Sequence, residues 1–382
     1  MRQRYFLYAA EIKTHLFCFF AKKRRIEATR QEREKKTHFM KTFPPPQRCF
    51  WPIGTIKGWA GPTGFSSKST PEDVLKDIDL SNRLVIVTGA NSGIGKETAL
   101  AAFKHQAHVI FACRNIAEAS KITKELNSLL PKDSEPRAYA YALDLSSLES
   151  VHKFCLKVRS NFNALHVLVN NAGVMGGDKF ERTVDGHEQM FQVNYLAHAM
   201  IVRELFPLMR KAVGGARVVS VSSHVHFFTH RKGIDFSKVT GANAHVKSDT
   251  ARSYGTSKLA QIIFTRDMQA LSAASRRAFE SEILFFSVHP GAIETKGSQK
   301  HENGWKGRLL RKLSKPFIKT VEEGASTTCF AAFHKDATFF AGYYLADCNF
   351  FQSSKHSRDR SLREQLREVT EKLITDFTEN VM

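Results

Sequence analysis

Short runs of apolar, β-prone residues alternate with longer amphipathic stretches from residue 84 onward. The runs occupy residues 84–88, 108–112, 137–143, 165–170, 217–221 and 283–289. Strands that alternate with helices form a parallel sheet, and near-continuous apolar runs such as 85–87 are typical of strands covered on both faces. The pattern predicts a single α/β domain built on a doubly wound parallel sheet. Apolar residues at helical spacing in 361–375 predict a closing C-terminal helix.

The first 68 residues have a different character. An apolar stretch at 5–20 is interrupted by charged residues and runs into Lys22-Lys23-Arg24-Arg25, and Pro44-Pro45-Pro46 marks a linker. This stretch is too short and too charged for a bilayer span, and it lacks the features of a secretory or transit signal. A membrane-surface segment, an unusual targeting sequence and a solvated extension remain open. We predict a poorly ordered basic extension over residues 1–68 and one domain over 69–382.

Composition limits the partners. The chain has 42% hydrophobic residues and a formal charge of +20, which would suit nucleic acid, an anionic membrane or an acidic substrate. No nucleic-acid module or clustered aromatic-basic face is evident, so nucleic acid is not predicted. The six cysteines are far apart without a C-x-x-C pair, which indicates no metal site, no disulfide framework and a reducing intracellular compartment.

A glycine-rich loop follows the first predicted strand and precedes a helical run. Its spacing is T-G-x-x-x-G-x-G. Glycine there allows a tight turn and a close approach to a pyrophosphate, and the helix offers free N–H groups. An ordinary turn is the alternative, but the position within a β-α-β unit favours a dinucleotide site. The predicted cofactor-binding residues of the loop are Gly89, Asn91, Ser92, Gly93, Ile94 and Gly95.

The ends of the next two strands indicate which cofactor is bound. Arg114 and Asn115 stand where an NAD enzyme would place an acid, and a guanidinium there can bind a 2′-phosphate, with Lys96 adding charge. We therefore predict NADP(H) rather than NAD(H), with a solvated strand-end arginine as the alternative. Asp144 and Leu145 end the third strand, either beside the adenine or as a helix cap.

Two further segments complete the candidate site. Asn171, Ala172 and Gly173 follow the fourth strand at the edge where ligands bind in open α/β sheets, although they could form a plain turn. Tyr254 and Lys258 lie one helical turn apart, so a lysine ammonium could lower the pKa of the tyrosine and make it a general acid or base. Their alternative is a surface pair, but an upstream strand-end serine at 222–223 favours a catalytic site.

These motifs occur in the order found in the short-chain dehydrogenase/reductase family, which the chain resembles over about residues 69–376. Within it, the chain is most similar to retinol dehydrogenases, WW-domain oxidoreductases and Tic32-type dehydrogenases, judging from segments 89–95, 112–115, 191–195 and 342–348. The resemblance implies a Rossmann fold and catalysis by Tyr254 with Lys258. It implies that Ser223 positions the reacting oxygen and that Asn194 supports a proton relay. It also implies a nicotinamide pocket lined by Pro290, Gly291, Ile293 and Thr295.

The resemblance has limits. Ala197 and Gln106 replace glycines that are usual in this branch, and no WW module is present in the first eighty residues. The resemblance implies a substrate lid at residues 305–317, a basic and amphipathic segment that could touch an anionic membrane or simply pack on its own domain. We predict a small lipophilic substrate resembling a retinoid, steroid or aldehyde. A membrane-bound NADPH-binding regulatory subunit is the alternative function, and peripheral membrane contact and a homodimer stay open.

Overall fold

The computed structural model describes residues 58–176, 181–240, 249–275, 282–293 and 318–381. An eight-stranded sheet forms its centre, in the order β10-β9-β6-β5-β4-β1-β2-β3, and β7 and β8 form a separate parallel pair. All neighbours in the large sheet are parallel except β9 and β10. The strands are β1 (Leu84–Thr88), β2 (His108–Cys113), β3 (Ala138–Ala142), β4 (Val167–Asn170), β5 (Ala216–Val221), β6 (Ile283–His289), β7 (Ala292–Ile293), β8 (Ile318–Lys319), β9 (Tyr344–Ala346) and β10 (Asn349–Phe351).

Helices connect the strands and cover both faces of the sheet. A π-helical turn, Gln192–Leu196, joins the helix that ends at Phe191 to the one that begins at Ala197, and a 3₁₀ turn, His224–Phe227, follows β5. The helices are α1 (Pro71–Leu75), α2 (Gly93–Lys104), α3 (Ile116–Ser128), α4 (Leu148–Asn161), α5 (Gln189–Phe191), α6 (Ala197–Arg210), α7 (Phe236–Val239), α8 (Thr250–Ser275), α9 (Val321–Phe333) and α10 (Arg360–Val381).

Successive strand residues bury their side chains in two cores. Ile86 and Leu168 point to a core shared with α4, α6, α8 and α10. Val85, Val87 and Phe111 point to a second core beneath α2, α3 and α9. Because both faces are covered, every residue of β1 is buried. The predicted fold class, a doubly wound parallel sheet of the Rossmann type, is confirmed, and all six predicted strands are present.

The closing helix α10 lies across α6 and α8. Arg367 binds both carboxylate oxygens of Asp267 on α8, with an Nε–Oδ2 distance of 2.7 Å. The Tyr195 and Thr370 hydroxyls are 2.7 Å apart, and Leu366 is almost fully buried. The helix predicted over 361–375 is therefore present, and it extends from residue 360 to 381.

Residues 61–68 also contact the domain. The Thr63 amide donates to Asn349 Oδ1 on β10 over 3.1 Å, and the Phe65 ring meets Phe330 edge-on at 5.7 Å. The packed part of the chain thus begins before the boundary that we predicted between residues 68 and 69. The division into extension and domain otherwise stays a prediction, because residues 1–57 lie outside the described part of the chain.

Candidate active site

The glycine loop joins β1 to α2 in a conformation that only small residues fit. Gly89 and Gly93 have φ of +67° and +55°, in the left-handed region. A Cβ on Gly95 would overlap Asn171 Nδ2 and lie 2.5 Å from Gly89 O. Ser92 is the N-cap residue of α2, and its side chain makes no capping hydrogen bond. A loop with no room for a side chain at Gly95, beside an uncapped helix N-terminus, fits a pyrophosphate group.

The residues predicted to contact the adenosine end of the cofactor follow the carboxyl ends of β2 and β3, the two strands that follow β1 in the order of the sheet. Arg114 is exposed just after β2. The Asn115 side-chain oxygen caps α3 by accepting from the Glu118 amide at 3.2 Å. Asp144 Oδ1 accepts from the amide and the hydroxyl of Ser146, in the turn before α4, whereas the N-cap residue of α4 is Ser147.

Asn171, Ala172 and Gly173 connect the glycine loop to Asn194 and Lys258. Asn171 Nδ2 donates to Thr88 O, and the Asn171 and Ala172 amides donate to Thr88 Oγ1, each over 2.9 Å. An ideal Cβ on Gly173 would lie 3.4 Å from Lys258 Nζ and 3.2 Å from Asn194 Oδ1. The strand end therefore holds the loop on one side and approaches Lys258 closely on the other.

Lys258 is buried between β5 and α8. Its Nζ donates to the Val221 carbonyl at 2.8 Å and lies 5.5 Å from the centre of the Tyr254 ring. Ser222 Oγ donates to the Lys258 carbonyl at 2.8 Å, so this serine fixes α8 to β5. Ser223 Oγ accepts from the Val225 amide at 3.2 Å, at the start of the 3₁₀ turn. Within the described part of the chain, Ser222 donates its hydroxyl hydrogen and Ser223 does not.

Burial shifts the two titratable groups in opposite directions. Desolvation lowers the pKa of Lys258 to about 7 and raises the pKa of Tyr254 to about 12. Our expectation that Lys258 would lower the pKa of Tyr254 is therefore wrong for this structure. Burial destabilises the charged form of Lys258 itself, and its Nζ lies 5.5 Å from the centre of the Tyr254 ring.

Asn194 lies in the π-helical turn and forms hydrogen bonds through both side-chain polar atoms and its carbonyl oxygen. Its side-chain oxygen accepts from the Val174 amide at 2.7 Å, and its Nδ2 donates to Ser257 Oγ at 2.9 Å and to Val174 O at 3.0 Å. Its carbonyl accepts from Gln261 Nε2 at 2.7 Å and contacts His198 Nδ1 at 3.1 Å. Two protein side chains thus occupy both lone pairs of the Asn194 carbonyl oxygen.

His198, which was not predicted from the sequence, links the two halves of the site. Its Nε2 lies 3.0 Å from Thr88 Oγ1, so one imidazole joins the cofactor loop to Asn194. Burial lowers its pKa to about 4, which keeps it neutral. A histidine four residues after Asn194, in an otherwise apolar segment, was the available signal, as was the glutamine three residues after Lys258.

The segment after β6 supplies the last predicted residues. Pro290 and Gly291 form the turn into β7, with Gly291 at φ +97°, and Ile293 pairs with Lys319 of β8. Lys319 Nζ binds Asp347 Oδ1 at 2.5 Å, which fixes the base of this pair. Thr295 and the predicted lid at 305–317 lie outside the described residues.

The chain is similar to several known proteins. Residues 83–237 match the short chain dehydrogenase family model. The chain is 35% identical to the WW domain-containing oxidoreductase of Gallus gallus over 82% of its own length and 73% of the relative's. It is 34% identical to short-chain dehydrogenase TIC 32 A, chloroplastic, of Brassica napus, over 84% and 98%. It is 30% identical to retinol dehydrogenase 12 of Mus musculus, over 78% and 88%.

Solved structures share the fold. RhlG of Pseudomonas aeruginosa, solved as an NADP active-site complex, aligns with a TM-score of 0.53 at 22% identity, over 70% of this chain and 95% of that one. A hydroxysteroid dehydrogenase of Escherichia coli aligns with a TM-score of 0.52 at 21% identity, over 70% and 96%.

The chain belongs to the short-chain dehydrogenase/reductase family. It is an oxidoreductase of the group that binds a nicotinamide cofactor, and its relatives include retinol dehydrogenase and WW-oxidoreductase proteins. Within the described residues, no helix combines the length and the apolar character needed to cross a membrane.

Proposed function

We propose that the chain transfers hydride between NADP(H) and a lipophilic carbonyl or alcohol, with Tyr254 as the general acid or base. One observation carries the proposal. The glycine loop, the Asn171–Gly173 strand end, Ser223 and the Tyr254–Lys258 pair meet at the carboxyl edge of adjacent strands, and Gly173 separates the loop from Lys258. A dinucleotide bound on the loop would extend toward Tyr254 across this edge.

The environment of Arg114 supports the choice of NADP(H). This side chain is exposed at the end of β2, and the residues that follow it, Asn115 and Ile116, are uncharged. A free guanidinium at this position can bind a 2′-phosphate through two charge-assisted hydrogen bonds. With no carboxylate in the turn, the two hydroxyls of an unphosphorylated ribose would lack their usual acceptor.

The pKa values support a proton-donating tyrosine. A phenol with a pKa of about 12 is protonated at neutral pH, so Tyr254 would carry the proton that a carbonyl oxygen takes up on reduction. Ser223 Oγ would donate a second hydrogen bond to that oxygen and orient it. The bound nicotinamide supplies or accepts the hydride. Lys258, held by the Val221 carbonyl, would bind the ribose end of the cofactor.

Exposed apolar side chains beside the site support a lipophilic substrate. Met175 is 66% exposed two residues after Gly173. Phe228 is 69% exposed, and its carbonyl lies so close to the Gly255 Cα that a Cβ there would overlap it, which fixes this turn next to Tyr254. Exposed apolar surface beside a site is typical of proteins that bind apolar ligands.

We also propose a reducing compartment, because the four described cysteines, Cys113, Cys155, Cys329 and Cys348, are buried free thiols. A reducing environment preserves such thiols. The substrate itself would then reach the site from a cytosolic or membrane-facing pool.

The test is oxidation of NADPH and of NADH by the purified protein with a panel of lipophilic aldehydes and ketones. We expect Tyr254→Phe to lower kcat by about 10²- to 10⁴-fold without changing the dissociation constant of NADPH. Arg114→Ala should lower kcat/KM with NADPH by at least about 10-fold and leave NADH turnover unchanged. Lys121→Ala, an exposed cation on α3, is the matched charge control.

Two outcomes would reject the proposal. Equal use of both cofactors that Arg114→Ala does not alter would remove the assignment of NADP(H). Tight NADPH binding with no Tyr254-dependent turnover on any carbonyl would favour the regulatory subunit instead.

A further inference from the structure

His226 is buried directly beneath the turn that carries Ser223. The residue is 0% exposed, and its Nδ1 lies 2.7 Å from the Ser223 carbonyl oxygen. The His226 amide also donates to that carbonyl, at 3.1 Å. On the far side of the ring, Nε2 accepts from the Ser354 amide at 3.0 Å. The ring therefore bridges the serine turn and the segment between β10 and α10.

The two contacts fix the protonation state of the ring. An Nε2 that accepts the Ser354 N–H carries no proton, so the single hydrogen of a neutral imidazole is on Nδ1 and is donated to Ser223 O. Burial lowers the pKa of His226 to about 4, so the ring stays neutral at physiological pH. A neutral ring with one donor and one acceptor matches both partners.

The Ser354 end of this bridge is itself held in place. Ser357 Oγ donates to the Ser354 carbonyl at 2.7 Å, and Ser353 and Ser354 are both buried. The His226 ring packs against the Tyr344 ring of β9, with centroids 4.9 Å apart. The bridge thus connects Ser223 to a part of the fold that is fixed by its own contacts.

We propose that His226 is a positioning residue whose Nδ1–H donates to the Ser223 carbonyl and so holds the Ser223 hydroxyl in its reactive orientation, while the Ser354 amide on Nε2 keeps the ring proton on Nδ1. The inference rests on the proposed function, because it concerns the same reaction. Ser223 Oγ is held in turn by the Val225 amide, so a shift of the Ser223 carbonyl would also move the hydroxyl. Displacement of a reacting group by about 1 Å can lower a rate by about 10²-fold.

Two isosteric variants separate the two halves of the bridge. The Nδ2 of asparagine is as many bonds from Cα as His226 Nδ1, so His226→Asn retains the donor to Ser223 and loses the contact with Ser354. The Oε1 of glutamine is as many bonds away as Nε2, so His226→Gln retains the acceptor for Ser354 and loses the donor. Each variant removes one hydrogen bond, so the two should lose similar stability.

The experiment measures kcat, KM, the NADPH dissociation constant and thermal stability for both variants, with His230→Gln on the same loop as control. We expect kcat to fall about 10- to 100-fold in His226→Gln and less than about 3-fold in His226→Asn, with NADPH binding unchanged. Equal kcat values in the two variants, or losses that follow thermal stability, would overturn the inference.

A readout that needs no turnover is the hydrogen exchange of the Val225 amide, which donates to Ser223 Oγ. We expect exchange to be faster in His226→Gln than in His226→Asn. If the wild-type protein reduces no carbonyl, the proposed function fails, and exchange alone then decides the inference. Equal Val225 protection in both variants would refute it.

Discussion

Replacement of Gly95 by alanine tests the close packing of the cofactor loop on the fourth strand. An added Cβ would overlap Asn171 Nδ2 and lie 2.5 Å from Gly89 O, and a backbone oxygen within the loop has little room to move. Overpacking of this kind costs about 1–3 kcal/mol. Displacing Asn171 also breaks its 2.9 Å bond to Thr88 O, which adds about 1 kcal/mol. We expect the free energy of unfolding to fall by about 2–4 kcal/mol.

Urea unfolding of the protein without cofactor measures this change. Gly93→Asn is the matched control, because a side chain at Gly93 meets nothing within 4 Å and asparagine tolerates its φ of +55°. That variant should lose less than about 1 kcal/mol. The double variant Gly95→Ala/Asn171→Ala should lose less stability than the sum of the single variants, because removing the amide relieves one of the two overlaps. Strict additivity, or equal losses at Gly95 and Gly93, would refute the steric argument.

Three further variants test the energetics. Lys258 has a folded-state pKa of about 7, below its ordinary 10.5. Between these two values the unfolded state binds more protons than the folded state, so the free energy of unfolding rises with pH across that window. Lys258→Met should abolish this rise in urea titrations between pH 7 and 10. Asp267→Asn should cost about 1.5–3 kcal/mol by breaking the paired bonds to Arg367, whereas the half-exposed Asp235→Asn should stay within about 0.5 kcal/mol in the same assay. Gln106→Gly should raise stability by about 1 kcal/mol in thermal unfolding, because Gln106 has a φ of +74° after α2; an unchanged melting temperature would contradict this.

The sequence predicted the parts of the fold that depend on local pattern. Each of the six long strands is an apolar run between turn signals, and their observed bounds differ from the predicted ones by at most two residues at either end. The short strands β7 to β10 were not predicted. They contain two or three residues each, too few for a periodic pattern, and they exist because they pair with neighbours such as β6.

The site was predicted as a set of positions but not as an electrostatic environment. Strand ends and helical spacing were enough to bring Gly173, Ser223 and Lys258 to one edge. The pKa of Tyr254 depends on how much protein surrounds it, which the sequence does not state. The roles of Ser222 and of the Asn194 carbonyl likewise depended on partners that are distant in the chain, Lys258 and Gln261.

The C-terminal helix has a consequence for how the protein can be shortened or tagged. Without α10, the surface of α6 and α8 would expose a continuous apolar seam where Leu362, Leu366 and Ile374 now pack, and Asp267 would lose its guanidinium partners. A chain cut at residue 359 would therefore fail first through self-association and poor solubility, with the candidate site residues still present. A fusion partner placed directly after α10 would be attached to the helix that covers the apolar surface of α6 and α8.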